Sequence, residues 1–246
     1  MKASWLLCAA GLSLGTLLCP SNAEMAKLQY DKVVDLSHEI VENQMPADPS
    51  LTQPSMKFFS RVGQKSDYNL ETISYCPHTG THMDAPFHID NTKHAIEGWK
   101  ADVLMGPAVI IKTGHPGAYV ISKEDIITWE KKNGKIKPGD AVLFHTGHDA
   151  NWSKGYDAYI KNGYTTVSPE AAEYLVSKKV RFVGTESISP DGPAPNSHKV
   201  LLSHEIPVLE NVCNLEAIKG TRCYTVGTFA NVKGGTGVWV RLLALQ

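Results

Sequence analysis

The chain has 246 residues, with 24 Lys and Arg against 25 Asp and Glu and a formal net charge of −1. That balance, without a basic stripe, excludes a nucleic-acid surface built on charge. A composition of 42% hydrophobic and 20% charged residues is that of an ordinary folded globular protein and excludes disordered and fibrous classes.

The N-terminus has the layout of an export signal. Lys2 supplies the positive start, residues 5–19 are mostly apolar, and Ser21, Asn22 and Ala23 set a small-residue cleavage site after Ala23. An uncleaved anchor is the alternative. The run is short for a bilayer span, and no second candidate follows. Residues 24–246, about 220 in number, suit one large domain. Cys8 and Cys19 leave with the signal, whereas Cys76, Cys213 and Cys223 remain. An oxidising compartment permits one pair and one free thiol, and the sequence leaves open which.

A short first strand is expected at residues 33–36, followed by a proline-rich polar loop at 45–54. Residues 56–62 and 70–75 read as strands, the second delivering the chain into a histidine-rich segment. Residues 108–111 and 141–144 are continuous apolar runs, suited to strands buried on both faces. Between them, Ser122 can cap a helix running to about Lys132, with Asp125 in its first turn and Gly134 near its end. Ser168 with Pro169 opens a second helix, whose Ala171, Ala172, Leu175 and Val176 share one face and whose Lys178 and Lys179 suit its C-terminal dipole. Strands follow at 181–184, 223–229 and 238–245, the last two separated by Gly234 and Gly235. Strands and helices are mixed and no linker divides them, so the expected fold is one α/β domain.

The chemistry concentrates between His78 and His88. The segment His78-Thr79-Gly80-Thr81-His82-Met83-Asp84-Ala85-Pro86-Phe87-His88 holds three histidines and one carboxylate in eleven residues. Imidazole and carboxylate ligands suit a borderline divalent cation such as zinc or manganese. Glycine and two prolines argue against a helix here and for an extended strand end or an ordered loop; in an extended segment the even positions share one face. His78, His82 and Asp84 then converge on one ion, with His88 further along. A bound cation of this kind makes water a nucleophile near neutral pH, so the chain reads as a metal-dependent hydrolase. His88 is either a general acid/base, a further ligand, or a partner that holds Asp84. A metal-binding protein without turnover is the alternative class. His145 and His148 follow a predicted strand and suit a pocket rim. Phe58, Phe59, Tyr75, Trp99 and Trp152 are candidates for an aromatic wall, although single aromatics more often belong to the core. On spacing alone, His198 and Glu210 read as a surface ion pair.

The chain resembles the cyclase-like metal hydrolase family, which includes bacterial kynurenine formamidases and isatin hydrolases. The central segment matches the family pattern His-x-Gly-Thr-His-x-Asp-x-Pro-x-His at every fixed position. Asp35-Leu36-Ser37-His38, Gly139-Asp140-Ala141-Val142-Leu143, and His198-Lys199-Val200-Leu201-Leu202 followed by Pro207-Val208-Leu209-Glu210-Asn211 extend the likeness over almost the whole mature chain. The resemblance implies a swivelling β/β/α fold with a mixed sheet, in a dimer or larger assembly. It implies His78, His82 and Asp84 as primary metal ligands and His88 as the acid/base. His198 and Glu210 become ligands of a second ion bridged by Asp84. It also implies one or two zinc or manganese ions and a small-molecule amide substrate, either an arylformamide or a cyclic amide such as isatin. Glu186 and Ser187 depart from the family, which often carries aspartates there, and this bears on the substrate-pocket wall.

Overall fold

The computed structural model describes residues 28–192 and 196–246. The export signal expected at residues 1–23 lies outside them. Eight strands form the main sheet: β1 (Val33–Asp35), β4 (His82–Asp84), β5 (Gly106–Lys112), β7 (Ala141–His145), β9 (Val183–Thr185), β10 (Val208–Glu210), β11 (Arg222–Phe229) and β12 (Gly237–Leu245). Their order is β1-β12-β11-β5-β7-β9-β10-β4, and β4 also pairs with β12. The hydrogen-bonded circuit from β12 through β11 and β10 to β4 therefore closes on itself. β5, β7, β9 and β10 run parallel, and the remaining pairings are antiparallel. This is a single mixed α/β domain, as expected.

The apolar runs have the two-sided burial that their composition implies. Ala108, Ile110, Ala141 and Leu143 pack into one core with Leu36, Met83, Leu209 and Leu242. The alternate residues Val109, Ile111, Val142 and Phe144 meet the helices instead. Removing such a side chain from water stabilises the fold by about 1.5–3 kcal/mol.

The helices begin where the caps predict. Ser122 caps α1 (Lys123–Asn133) in a reciprocal capping box with Asp125, and Gly134 follows with φ of 91°. Ser168 caps α2 (Pro169–Ser177), its hydroxyl accepting from the Ala171 amide at 3.1 Å. Lys178 does more than face the helix dipole: its Nζ lies 2.9 Å from the buried carboxylate of Glu130 on α1. Tyr174 and the Ile136 amide donate to the same carboxylate. Burial alone would raise the Glu130 pKa; these donors outweigh it and bring it down to about 2.

Several short elements were not anticipated. They are the parallel pair β6 (Tyr119–Ile121) and β8 (Thr165–Val167), the helix α3 (Ser197–Ser203), and β10. The predicted strands at 56–62 and 70–75 form a hairpin, β2 (Ser55–Ser60) and β3 (Leu70–Ser74). The first stops early because the Val62 amide turns to the Asn69 side chain at 2.9 Å. Met56, Phe59, Leu70 and Ile73 on this hairpin are exposed. Cys76, Cys213 and Cys223 are all free thiols.

Candidate metal centre and active site

β4 carries the central ligands. It is wedged between β10 and β12, with His82 opposite Glu210 on one side and opposite Trp239 on the other. His82 and Asp84 are fully buried. Strand alternation accounts for these two residues but not for the rest of the segment. His78 precedes the strand, and Pro86 starts a single turn (Pro86–His88) that brings His88 back over the site. The segment is thus a short strand within an ordered loop; the shared even-position face covers only His82 and Asp84, because proline fixes φ for a turn and His88 arrives by that turn.

The five predicted ligands meet around Asp84. His78 Nδ1 lies 2.9 Å, and His82 Nε2 3.5 Å, from Asp84 Oδ1. His198 Nε2 lies 3.2 Å from the other oxygen, Oδ2. Glu210 spans the two groups, at 3.3 Å from His82 and 2.9 Å from His198. His198 and Glu210 are thus part of the site and not a surface ion pair. A ring nitrogen of His88 lies within 4.8 Å of the ligand atoms of Asp84 and His198. Its ring stacks on His78 with centroids 4.1 Å apart, while one edge stays open to solvent. Loss of water around the ring lowers the His88 pKa, against an opposing pull from Asp84.

The three histidines His78, His82 and His198 are each aimed by a neighbour, and most of these partners carry no local signal in the chain. Gly80 carbonyl accepts from His82 Nδ1 and from the Asn211 amide, both at 2.8 Å. Tyr159 hydroxyl lies 2.8 Å from Asn211 Oδ1, extending that support. Thr236 holds His78 Nε2 at 2.9 Å. Asp191 accepts from His198 Nδ1 at 2.7 Å with one oxygen, while its other oxygen accepts from the amides at the start of α3. Such partners fix ring orientation and leave the facing nitrogen free for a cation. Trp99 Nε1 donates to the Asp84 carbonyl at 3.2 Å.

The donor set fits a divalent cation. His82 Nε2 and Asp84 Oδ1 are buried without a hydrogen-bond partner, an arrangement that is costly unless an ion is bound there. His78, His82 and Asp84 form one group of metal-capable atoms. The electrostatics agree. Burial alone would lower the His82 pKa, but the facing carboxylates of Glu210 and Asp84 raise it to about 9. His198 is likewise driven well above its ordinary value, where Asp191, Asp84 and Glu210 outweigh burial. Burial would raise Asp84, yet His198 and His78 hold it well below the usual carboxylate range.

These imidazoles hold protons that an incoming ion must displace. Apparent metal affinity is therefore expected to rise with pH up to about 9, roughly tenfold per unit for each proton released. Chelator competition between about pH 6.5 and 8.5 measures the slope, and a flat profile would contradict the assignment.

Gly237 leaves room for His78. A Cβ there would stand 2.8 Å from His78 Cε1 and 3.3 Å from Asp84 Oδ1. Gly237→Ala is expected to push His78 out of line and weaken metal binding about 10–100-fold. Metal titration beside a folding control checks this, and an unchanged affinity would show that the ring can shift freely.

Other candidates lie elsewhere. His148 is buried between the carbonyls of Pro116 and Tyr159, so it does not rim a pocket. His145 is half-buried at the end of β7. The five aromatics do not form one wall. Tyr75 stacks on Trp239 at 3.6 Å beside the site, Trp152 stacks on His38, and Phe58 and Phe59 sit on the hairpin. Glu186 is no wall residue either. It is buried, and its Oε2 accepts from the amides of Thr146, Gly147 and His148. Burial, then the charge of Asp149, raises its pKa to about 7. Cys76 belongs to no metal-capable group among the described residues.

A family model described as putative cyclase matches residues 34–192. The chain belongs to the cyclase family. Kynurenine formamidase of Bacillus cytotoxicus is 29% identical over 182 residues, covering 73% of this chain and 81% of that protein. Isatin hydrolase of Roseibium aggregatum is 28% identical over 228 residues, covering 82% and 85%. Isatin hydrolase A from Labrenzia aggregata, bound to benzyl benzoate, shares the fold with a TM-score of 0.78 at 23% identity, over 87% of this chain and 93% of that one. A solved structure described as a potential metal-dependent hydrolase with cyclase activity has a TM-score of 0.70 at 26% identity, over 87% and 96%. This cyclase-family chain is a hydrolytic enzyme, which removes the non-catalytic alternative.

Proposed function

We propose that the protein is a metal-dependent amidohydrolase of arylformamidase type, converting N-formylkynurenine and water to kynurenine and formate. The observation that carries this reading is the position of Asp84, with one oxygen facing His78 and His82 and the other facing His198. One or two zinc or manganese ions would be held there by His78, His82 and Asp84, with His198 and Glu210. When bound, such cations make water nucleophilic near neutral pH and counter negative charge on a carbonyl oxygen.

The chain's own groups handle the protons and the geometry. The Gly80 carbonyl and Asp191 keep the Nδ1 protons of His82 and His198, so their Nε2 atoms face inward. His88 accepts the proton that water loses as the new carbon–oxygen bond forms. It returns that proton to the nitrogen as the carbon–nitrogen bond breaks, and the amine leaves neutral. Tyr75 and Trp239 offer a stacked aromatic surface beside His82 for an anilide ring.

Opening of a cyclic amide such as isatin is the second reading, favoured by the length of the match to isatin hydrolase of Roseibium aggregatum. Metal counting on purified protein, beside a panel of formanilides and lactams, separates the two. Hydrolysis of lactams alone would reject the arylformamidase reading, and failure on both would reject amide hydrolysis.

The exposed apolar side chains of the β2–β3 hairpin support a dimer or larger assembly. The signal-like N-terminus supports export with cleavage after Ala23. Among the described residues, no helix is long and apolar enough to cross a membrane. N-terminal sequencing of cell fractions tests export, and intact Met1 in the cytosol would reject it.

A further inference from the structure

Six buried side-chain atoms among the described residues lack a hydrogen-bond partner. Two of them, His82 Nε2 and Asp84 Oδ1, mark the hydrolytic centre. Two others, His145 Nδ1 and Glu186 Oε1, occur together at a second place. β7 and β9 are parallel neighbours whose register pairs Phe144 with Thr185. His145 is the last residue of β7 and Glu186 follows the end of β9, so the two come side by side at one end of the sheet. His145 Nε2 lies 3.9 Å from Glu186 Oε1. Glu216, in the turn Leu215–Ala217, completes the group, and one ligand atom from each of the three residues lies within 4.8 Å of the others.

The direction of Glu186 is fixed. Its side chain is fully buried, and its Oε2 is held by the Thr146 hydroxyl and by three backbone amides. Oε1 is left facing His145 with no donor. Asp149 adds negative charge to Glu186 and to His145. Lys112, opposite His145 on β5, is the opposing cation. The charges of Glu216 and Asp149 thus act on His145 against that of Lys112. Glu216 is exposed, so an ion can enter from solvent.

We propose that His145, Glu186 and Glu216 form a second divalent-cation site, separate from the hydrolytic centre. One imidazole and two carboxylates suit zinc or manganese, with water completing the shell. The ion would tie the ends of β7 and β9 to the 215–217 turn that leads into β11. It is a structural site, because none of its residues reaches Asp84 or His88.

The test counts ions on full-length protein dialysed against zinc or manganese, by elemental analysis. Glu216→Gln keeps side-chain volume and lies on the surface. It is expected to lower the count by one ion per subunit, to reduce the metal-dependent gain in Tm, and to leave formanilide hydrolysis at the parent rate. His145→Gln should do the same. In an Asp84→Asn background, one ion should persist and should be lost on adding Glu216→Gln. Equal ion counts with and without Glu216→Gln, in both the parent and the Asp84→Asn background, would overturn the proposal. That result would leave the amide-hydrolysis reading untouched, since the substrate panel tests it separately.

Discussion

Asp84→Asn is expected to abolish metal retention at the hydrolytic centre and to lower turnover by about three orders of magnitude or more. The carboxamide keeps the shape of the side chain but removes the negative charge that faces His78, His82 and His198 at once. A neutral oxygen is a weak ligand, and its NH2 group can point only a donor at a cation. Losing electrostatic stabilisation of a developing oxyanion costs about 10²–10³ in rate by itself, and losing the nucleophile's activation adds to that. The strand should survive, because β4 is held through its backbone by β10 and β12. Elemental analysis, circular dichroism and rate measurement on one preparation check the three parts. Parent-like ion content would show that the remaining histidines and Glu210 suffice.

His88→Ala is expected to do something different. Turnover should fall about 10²–10⁴-fold while ion content and Tm stay near those of the parent. His88 stands at the open edge of the site, held by stacking on His78 rather than by burial in the core. Truncating a partly exposed residue outside the core usually changes stability by less than about 0.5 kcal/mol. Added imidazole should restore part of the rate, because the deleted group is a proton carrier. A variant that lost its metal instead would make His88 a ligand. One that kept the parent rate would give the proton to another group.

Much of this was legible in the chain because the chemistry is local. His78, His82 and Asp84 fall within seven residues, and glycine and proline around them declare a non-helical segment. Long strands and the capped helices α1 and α2 are also local signals, since Ser122 and Ser168 announce their own N-termini. The unread parts depend on distant partners. α3 has no capping side chain at Asn196; its first amides are satisfied by Asp191, which precedes the helix. β4 and β10 have three residues each, too few for a period to show. His198 and Glu210 sit on separate elements, so their spacing carried no geometry, and only the family likeness joined them to the site. Gly237 carries no local signal of its role, because the ring it makes room for lies far away in sequence.

The pairing of β4 with β12 has a consequence for biogenesis. The histidine strand is made well before its partner at residues 237–239. A nascent chain on the ribosome therefore carries the ligands without the frame that aligns them. Alignment of these groups waits for β12, and any cation that needs the completed frame binds after that strand has joined the sheet.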